Sequence, residues 1–186
     1  NQTGNPSVLT IAPGMLIHGK AGRVGSNAGG VTLVNQGTIA SDEVGNIDIR
    51  GGSGWTNEGT ITASGGGKIR TYESWSNEGA IELAKDGSLE AATGLTLSGS
   101  SNLTIDIGGL ASFGVIDVTG DAALGGTFTI NLVDGFVPDL GDSFVVMTYD
   151  STSGGFASVL GQSIGGGKQF QLDFGATALT LQVVAQ

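Results

Sequence analysis

Hydrophobic and polar residues alternate along this chain in short runs, and glycine interrupts the runs at intervals. In Trp55-Thr56-Asn57-Glu58-Gly59-Thr60-Ile61, Trp55, Asn57, Gly59 and Ile61 share one parity, and Thr56, Glu58 and Thr60 share the other. A period of two is the β period, so the first set is predicted to face an interior and the second to face solvent. The same alternation puts Ile47 and Ile49 inward and Asp48 and Arg50 outward. The pattern also returns. Asn35-Gln36-Gly37-Thr38-Ile39 is followed by Asn57-Glu58-Gly59-Thr60-Ile61 and by Asn77-Glu78-Gly79-Ala80-Ile81, with spacings of 22 and then 20 residues. Further columns keep register with these pentads: Leu33, Trp55 and Trp75 before them, and Gly45, Gly67 and Gly87, then Ile47, Ile69 and Leu89, after them. Each repeat is therefore predicted to hold two short strands separated by glycine-bearing corners, with a third side left undefined by the pattern. The stretch Glu82 to Ala92, which could be mistaken for a helix, contains Gly87 and keeps the register, so it is predicted to be a pair of strands.

A repeat of this length is the signature of a solenoid, in which each repeat is one coil lying on the last. The expected fold is all-β, a parallel β-solenoid (β-helix), right-handed by the general crossover preference. Coils would lie ~4.8 Å apart, with like residues directly above one another. Ile39, Ile61 and Ile81 then fill the interior, and Asn35, Asn57 and Asn77 form a ladder of amides. The glycines serve positive φ angles or close backbone approach. The change in repeat length is absorbed by Arg50-Gly51-Gly52-Ser53-Gly54, which has a loop composition. Asp48, Arg70 and Glu90 form an outward column of alternating charge, whereas Glu58 above Glu78 is a mild like-charge conflict.

Past about Leu95 the repeat register is lost, although strands continue. Examples are Leu103-Thr104-Ile105-Asp106-Ile107, Thr127-Phe128-Thr129-Ile130, Phe144-Val145-Val146-Met147 and Leu179-Thr180-Leu181. No phenylalanine precedes Phe113. The expected organisation is solenoid coils over 1–94 and a β-rich cap or sandwich-like module over 95–186. A last coil without such a cap would expose a row of unpaired backbone groups. At the other end, Val8 to Ile11 and Leu16 to Gly19 are expected to form an irregular first coil in which Ile17-His18-Gly19 matches Ile49-Arg50-Gly51. Nothing there suggests a capping helix.

Composition narrows the function. Thirty-five glycines against three prolines fit many tight corners, and 39% hydrophobic residues argue against disorder. A net charge of −10 argues against nucleic acid, whose binding needs clustered Lys and Arg, and against anionic membranes. The absence of cysteine removes disulfides and thiolate metal sites. No signal-peptide pattern and no bilayer-spanning apolar run is present, so for an exported protein the mature chain is the expectation.

Candidate chemistry is sparse. His18 is the only histidine and lacks a Gly-x-Ser-x-Gly context, so it is expected to be a surface residue near a corner. Trp55 and Trp75 share parity with Ile61 and Ile81, which favours an interior aromatic ladder over a platform for sugar rings. Tyr72 has the opposite parity. With Arg50 and His18 it is expected to form an outward stripe, the first choice for a ligand surface. The aspartates are scattered, and neither the EF-hand loop nor the Gly-Gly-x-Gly-x-Asp nonapeptide is matched. Asp139 and Asp142 flank a turn and are expected to close it. No catalytic residue, metal or cofactor is expected.

The pentad repeats resemble the stems of secreted β-solenoid passengers of bacterial autotransporter and adhesin type. The stretch from Leu103 to Gly109, with Ile116 to Gly120, Leu124 to Phe128, Gly135-Phe136 and Leu140 to Phe144, is similar to the C-terminal cap module of pertactin-like passengers. The resemblance implies an exported protein at the bacterial cell surface or released from it, doing structural or adhesive work. The membrane β-barrel that follows such passengers is not in this sequence. A stem this short presents a distant tip only if copies join. The expected function is therefore that of a non-enzymatic extracellular structural protein. It would self-associate end to end or edge to edge into a fibre, matrix or array, or form an adhesin stem. A carbohydrate-binding module, with glycans as partners and Trp55 or Trp75 exposed, is the alternative. A polysaccharide-active enzyme would need a carboxylate cluster in a groove. Neither nucleic acid nor membrane insertion is expected.

Overall fold

A computed structural model describes residues 7 to 186. Every regular element in it is a strand. The first coil contributes β1 (Ser7–Ile11), β2 (Leu16–Gly19) and β3 (Gly22–Ser26), and the second β4 (Val31–Asn35), β5 (Thr38–Ser41) and β6 (Gly45–Gly51). The third holds β7 (Trp55–Asn57), β8 (Thr60–Ala63) and β9 (Gly67–Tyr72), and the fourth β10 (Trp75–Asn77), β11 (Ala80–Leu83) and β12 (Ser88–Ala91). The fifth holds β13 (Leu95–Leu97), β14 (Asn102–Gly109), a two-residue β15 (Ser112–Phe113) and β16 (Val115–Val118). The sixth holds β17 (Asp121–Leu124), β18 (Thr127–Leu132) and β19 (Ser143–Thr148). β20 (Ser151–Gly154) and β21 (Ser158–Leu160) begin a further circuit. β22 (Ser163–Gly165), β23 (Lys168–Phe174) and β24 (Ala178–Ala185) follow.

These strands form a three-sided parallel β-solenoid of about six turns. The first sheet runs β1-β4-β7-β10-β13-β17-β20 and the second β2-β5-β8-β11-β14-β18-β21. The third runs β3-β6-β9-β12-β16-β19 and then β24-β23-β22. The run Trp55 to Ile61, which alternates like one strand, is two: Glu58-Gly59 turns a corner and passes the chain from the first sheet to the second. Parity survives the bend, so both halves still point inward at the expected positions.

Stacking in register explains the repeat. Ile17, Ile39, Ile61, Ile81, Leu103, Phe128 and Val159 stand in one file, each the lateral partner of the next. Within that file, Ile39, Ile61 and Ile81 are wholly buried. A second file, on the third sheet, takes Ile47, Ile69, Leu89, Ile116 and Met147. The pentad glycines answer a packing need. A Cβ on Gly59 would stand 2.1 Å from the Gly37 carbonyl oxygen, and one on Gly79 equally close to that of Gly59. The corner of each coil rests directly on the backbone of the coil before it, and no side chain fits between.

Two expectations change. The parallel ladder does not stop near residue 94, because β13, β14, β16, β17, β18, β20 and β21 all continue it. Only β22–β24 depart from it, as an antiparallel extension of the third sheet through β24 against β19. (Residues 1 to 6 of the expected 1–94 segment lie outside the described residues.) Ile17-His18-Gly19 pairs with Ile39-Ala40-Ser41 on the second sheet, not with the Ile49-Arg50-Gly51 side. Apolar-polar-small triplets occur on every side of a three-sided coil, so the local pattern does not tell the sides apart.

The phenylalanines close the far end. Phe144 is wholly buried and meets Phe113, Phe136 and Phe170 edge to face at 5.4, 6.3 and 6.0 Å. Phe128 stacks on Phe156 at 4.9 Å. These rings fill the interior of the last coils, and such pairs add to the burial of their area.

Candidate functional site

The interior of the pentad corner is polar and fully paired. Asn35, Asn57 and Asn77 are all buried. The Asn35 amide donates to Asn57 Oδ1, and the Asn57 amide donates to Asn77 Oδ1, each at 2.6 Å. The same amides also satisfy corner carbonyls: Asn35 that of Thr60 at 3.2 Å, Asn57 that of Ala80 at 3.1 Å, and Asn77 that of Gly79 at 2.9 Å. The column is closed by apolar residues, Ile11 on one side and Leu97 on the other. Trp55 and Trp75 are buried at 3% and 6% exposure and stack with centroids 4.4 Å apart. Their indole N–H groups donate to the carbonyls of Tyr72 and Gly94. Neither ring face is open as a sugar platform.

Arg50 and Tyr72 are lateral neighbours on the outer face of the third sheet. The guanidinium carbon lies 3.5 Å from the Tyr72 ring centroid, and Nη1 lies 3.6 Å from Glu73 Oε1. Glu73 also accepts from the Gly51 N–H, and its own φ of +60 directs the carboxylate back over the preceding coil. The cluster clamps two coils together, and the cation covers the aromatic face that a ligand would use. Arg50 Nε is buried without a partner.

His18 does not join this stripe. It stands on the second sheet, above Ala40, and pairs with Asp42 at 2.9 Å in an exposed position. The expected three-residue surface is therefore an Arg50–Tyr72–Glu73 cluster and a separate His18–Asp42 pair. Sequence reading missed Glu73, because it sits in a corner between strands and outside the alternation.

The outward charge column runs Arg23, Asp48, Arg70, Glu90 and Asp117 across the third sheet. Glu90 accepts from Arg70 Nε at 2.9 Å and lies 3.5 Å from Lys68 Nζ. The hydrogen bond to Glu90, and then its charge, hold the Arg70 pKa above its ordinary value. Lys85 is raised likewise by its contact with Asp134. Gln36 donates to Glu58 at 2.9 Å and offsets part of the Glu58–Glu78 conflict. Asp142 accepts from the Asp139 N–H at 2.7 Å and closes the expected turn. Among the described residues no three His, Asp or Glu side chains converge in a way that could hold a metal ion.

The coil ends differ. In the first coil Val8, Leu9, Met15 and Leu16 are 44–64% exposed, although Leu33, the partner below Leu9, is wholly buried. Among the described residues β1, β2 and β3 have no strand on their outer side. At the far end β20 and β21 are equally open, while the third sheet is filled by β24, β23 and β22. No protein-family model matches this chain, and no curated protein sequence matches it.

Proposed function

We propose that the chain is a non-enzymatic, extracellular structural protein of bacterial surface or autotransporter-passenger type. It associates with copies of itself through open strand edges into a fibre, matrix or array, or serves as an adhesin stem. The observation that carries this reading is the pair of unfinished ends. Among the described residues, β1 and β2 leave the first two sheets open at one end, and β20 and β21 leave the same two sheets open at the other. All four strands belong to ladders running in one direction. A second copy placed on the axis therefore adds β1 beside β20 and β2 beside β21 with parallel pairing. The interior file that ends at Val159 then continues with the partner copy's Ile17. Such a contact is heterologous and does not close, which is the geometry of a filament. The exposed apolar residues of the first coil gain cover in the same step.

Sedimentation velocity and electron microscopy of the purified 186-residue chain test the reading. Concentration-dependent rods are expected, and Leu9→Lys with Leu16→Lys, both at exposed positions, should disperse them. Monomers at every concentration would defeat self-association and leave the stem.

A further inference from the structure

The corner joining the third sheet to the first spans residues 27 to 30 in the first coil and two or three residues in every later one, at 52–54, 73–74, 92–94, 119–120 and 149–150. Along the last four of these corners runs a recess of about 470 Å³. That volume lies in the range of small-ligand sites. Successive coils supply its lining: Ser74, then Thr93 with Gly94, then Thr119 with Gly120, and finally Asp150, with Thr96 and Asp121 beside them. Trp75 also borders the recess, held by the Nε1 hydrogen bond to the Gly94 carbonyl at 3.1 Å. Gly94 and Gly120 take φ of +98 and +102, a conformation that side-chain-bearing residues rarely adopt, so the lining there is bare backbone.

The lining has a definite chemistry. Asp150 accepts from the Gly120 N–H through Oδ2 at 2.9 Å, and Asp121 accepts from the Ser151 hydroxyl through Oδ1. Each carboxylate is thus oriented by its own chain through one oxygen, and both residues line the recess. No Lys, Arg or His lines the site. Hydroxyls that donate and accept, and carboxylates that accept, match the adjacent hydroxyls of a sugar. The two carboxylates and the net charge of −10 repel an acidic one. We propose that this corner recess binds a neutral polysaccharide lying along the solenoid axis, with successive coils contacting successive sugar units. Asp150, at one end of the recess, immediately precedes the open strand β20, so the titration is run on the Leu9→Lys, Leu16→Lys variant to separate sugar binding from self-association.

Trp75 provides the readout. That double variant is titrated separately with cellohexaose, mannohexaose, hexagalacturonate and calcium chloride while Trp fluorescence is followed. A saturable change is expected with at least one neutral hexasaccharide and with neither hexagalacturonate nor calcium. Asp121→Ala, at an exposed position, should weaken that binding by about tenfold or more, as should blocking the channel with Thr119→Arg. Thr127→Ala on the second sheet should leave binding unchanged, and circular dichroism checks that each variant folds. Absence of a response to both neutral sugars would overturn the proposal, as would equal binding of hexagalacturonate. A response to calcium alone would make the recess a cation site and overturn it as well.

Discussion

Replacing Asn57 by alanine tests whether the amide ladder holds the coils together. Asn57 accepts one ladder bond from Asn35 and donates another to Asn77, both at 2.6 Å in a buried environment. Truncation leaves Asn35 Nδ2 with only the longer bond to the Thr60 carbonyl, and leaves Asn77 Oδ1 without its donor. A buried polar group left unpaired costs about 1–3 kcal/mol, and here one group is fully orphaned and a second partly so. Added to the lost packing, the expected destabilisation is about 3–5 kcal/mol. Asn77→Ala removes the same Asn57–Asn77 bond from the other side, so the double variant must cost less than the sum of the singles. The expected coupling is about 1 kcal/mol or more. Urea unfolding followed by circular dichroism and by Trp55 and Trp75 fluorescence supplies all four corners of the cycle. A single-variant loss below about 0.5 kcal/mol, or additivity within about 0.5 kcal/mol, would refute the claim that the ladder is a connected, buried network.

Three further outcomes are expected. Gly59→Ala places a Cβ 2.1 Å from the Gly37 carbonyl oxygen, so it should cost more than about 3 kcal/mol or abolish folding, as read by urea midpoint or soluble yield. Glu90→Gln removes the partner of Arg70 and Lys68 on a face about one-third exposed, so the same urea assay should detect no more than about 1 kcal/mol. Burial, and to a lesser extent the charge of Asp173, raises the Tyr149 pKa above its ordinary 10.0. The folded state then keeps this proton after the unfolded state has released it. The Tyr149 contribution is fully present below about pH 10 and is lost as pH rises through the folded pKa. Urea midpoints between pH 9 and 12 should fall more steeply for the wild type than for Tyr149→Phe.

What the sequence disclosed follows from the geometry of stacking. In a parallel, in-register coil the residue one repeat later lies directly above, so the file through Ile39, Ile61 and Ile81 can be read from spacing alone. Arg50 and Tyr72 could be placed together for the same reason. The file continues through Leu103, Phe128 and Val159, but there the side chain changes at every step and the corners vary in length, from 125–126 to 133–142. Stacking constrains volume and polarity more tightly than identity. The pentad disappears because Asn77 is followed by Leu97, while the coil beneath it persists. The corner recess was hidden for a related reason. Its residues, Ser74, Thr93, Thr119 and Asp150, lie between strands at unequal spacings, outside the strand alternation that the sequence displays.

The antiparallel ending bears on how the proposed assembly would grow. At the last circuit the first sheet ends in β20 and the second in β21, each one strand beyond the sixth coil. The third sheet carries three strands beyond it, so β23 and β22 overhang by about 10 Å at a strand spacing of ~4.8 Å. In the proposed assembly a following copy finds open edges on two sides, while on the third β23 and β22 occupy the levels its own β3 and β6 would take, so the joint requires that these strands bend aside. The joint can therefore use the four residues of β20 and the three of β21, whereas coils within the chain pair on all three sides. An intermolecular joint with fewer ladder bonds than any internal one must be the weakest link in a rod. Assembly through these edges is then expected to be reversible on dilution while each solenoid stays folded. In the proposed assembly, the reversal from parallel to antiparallel pairing would restrict growth on the third side, where the overhanging strands must give way before two copies join.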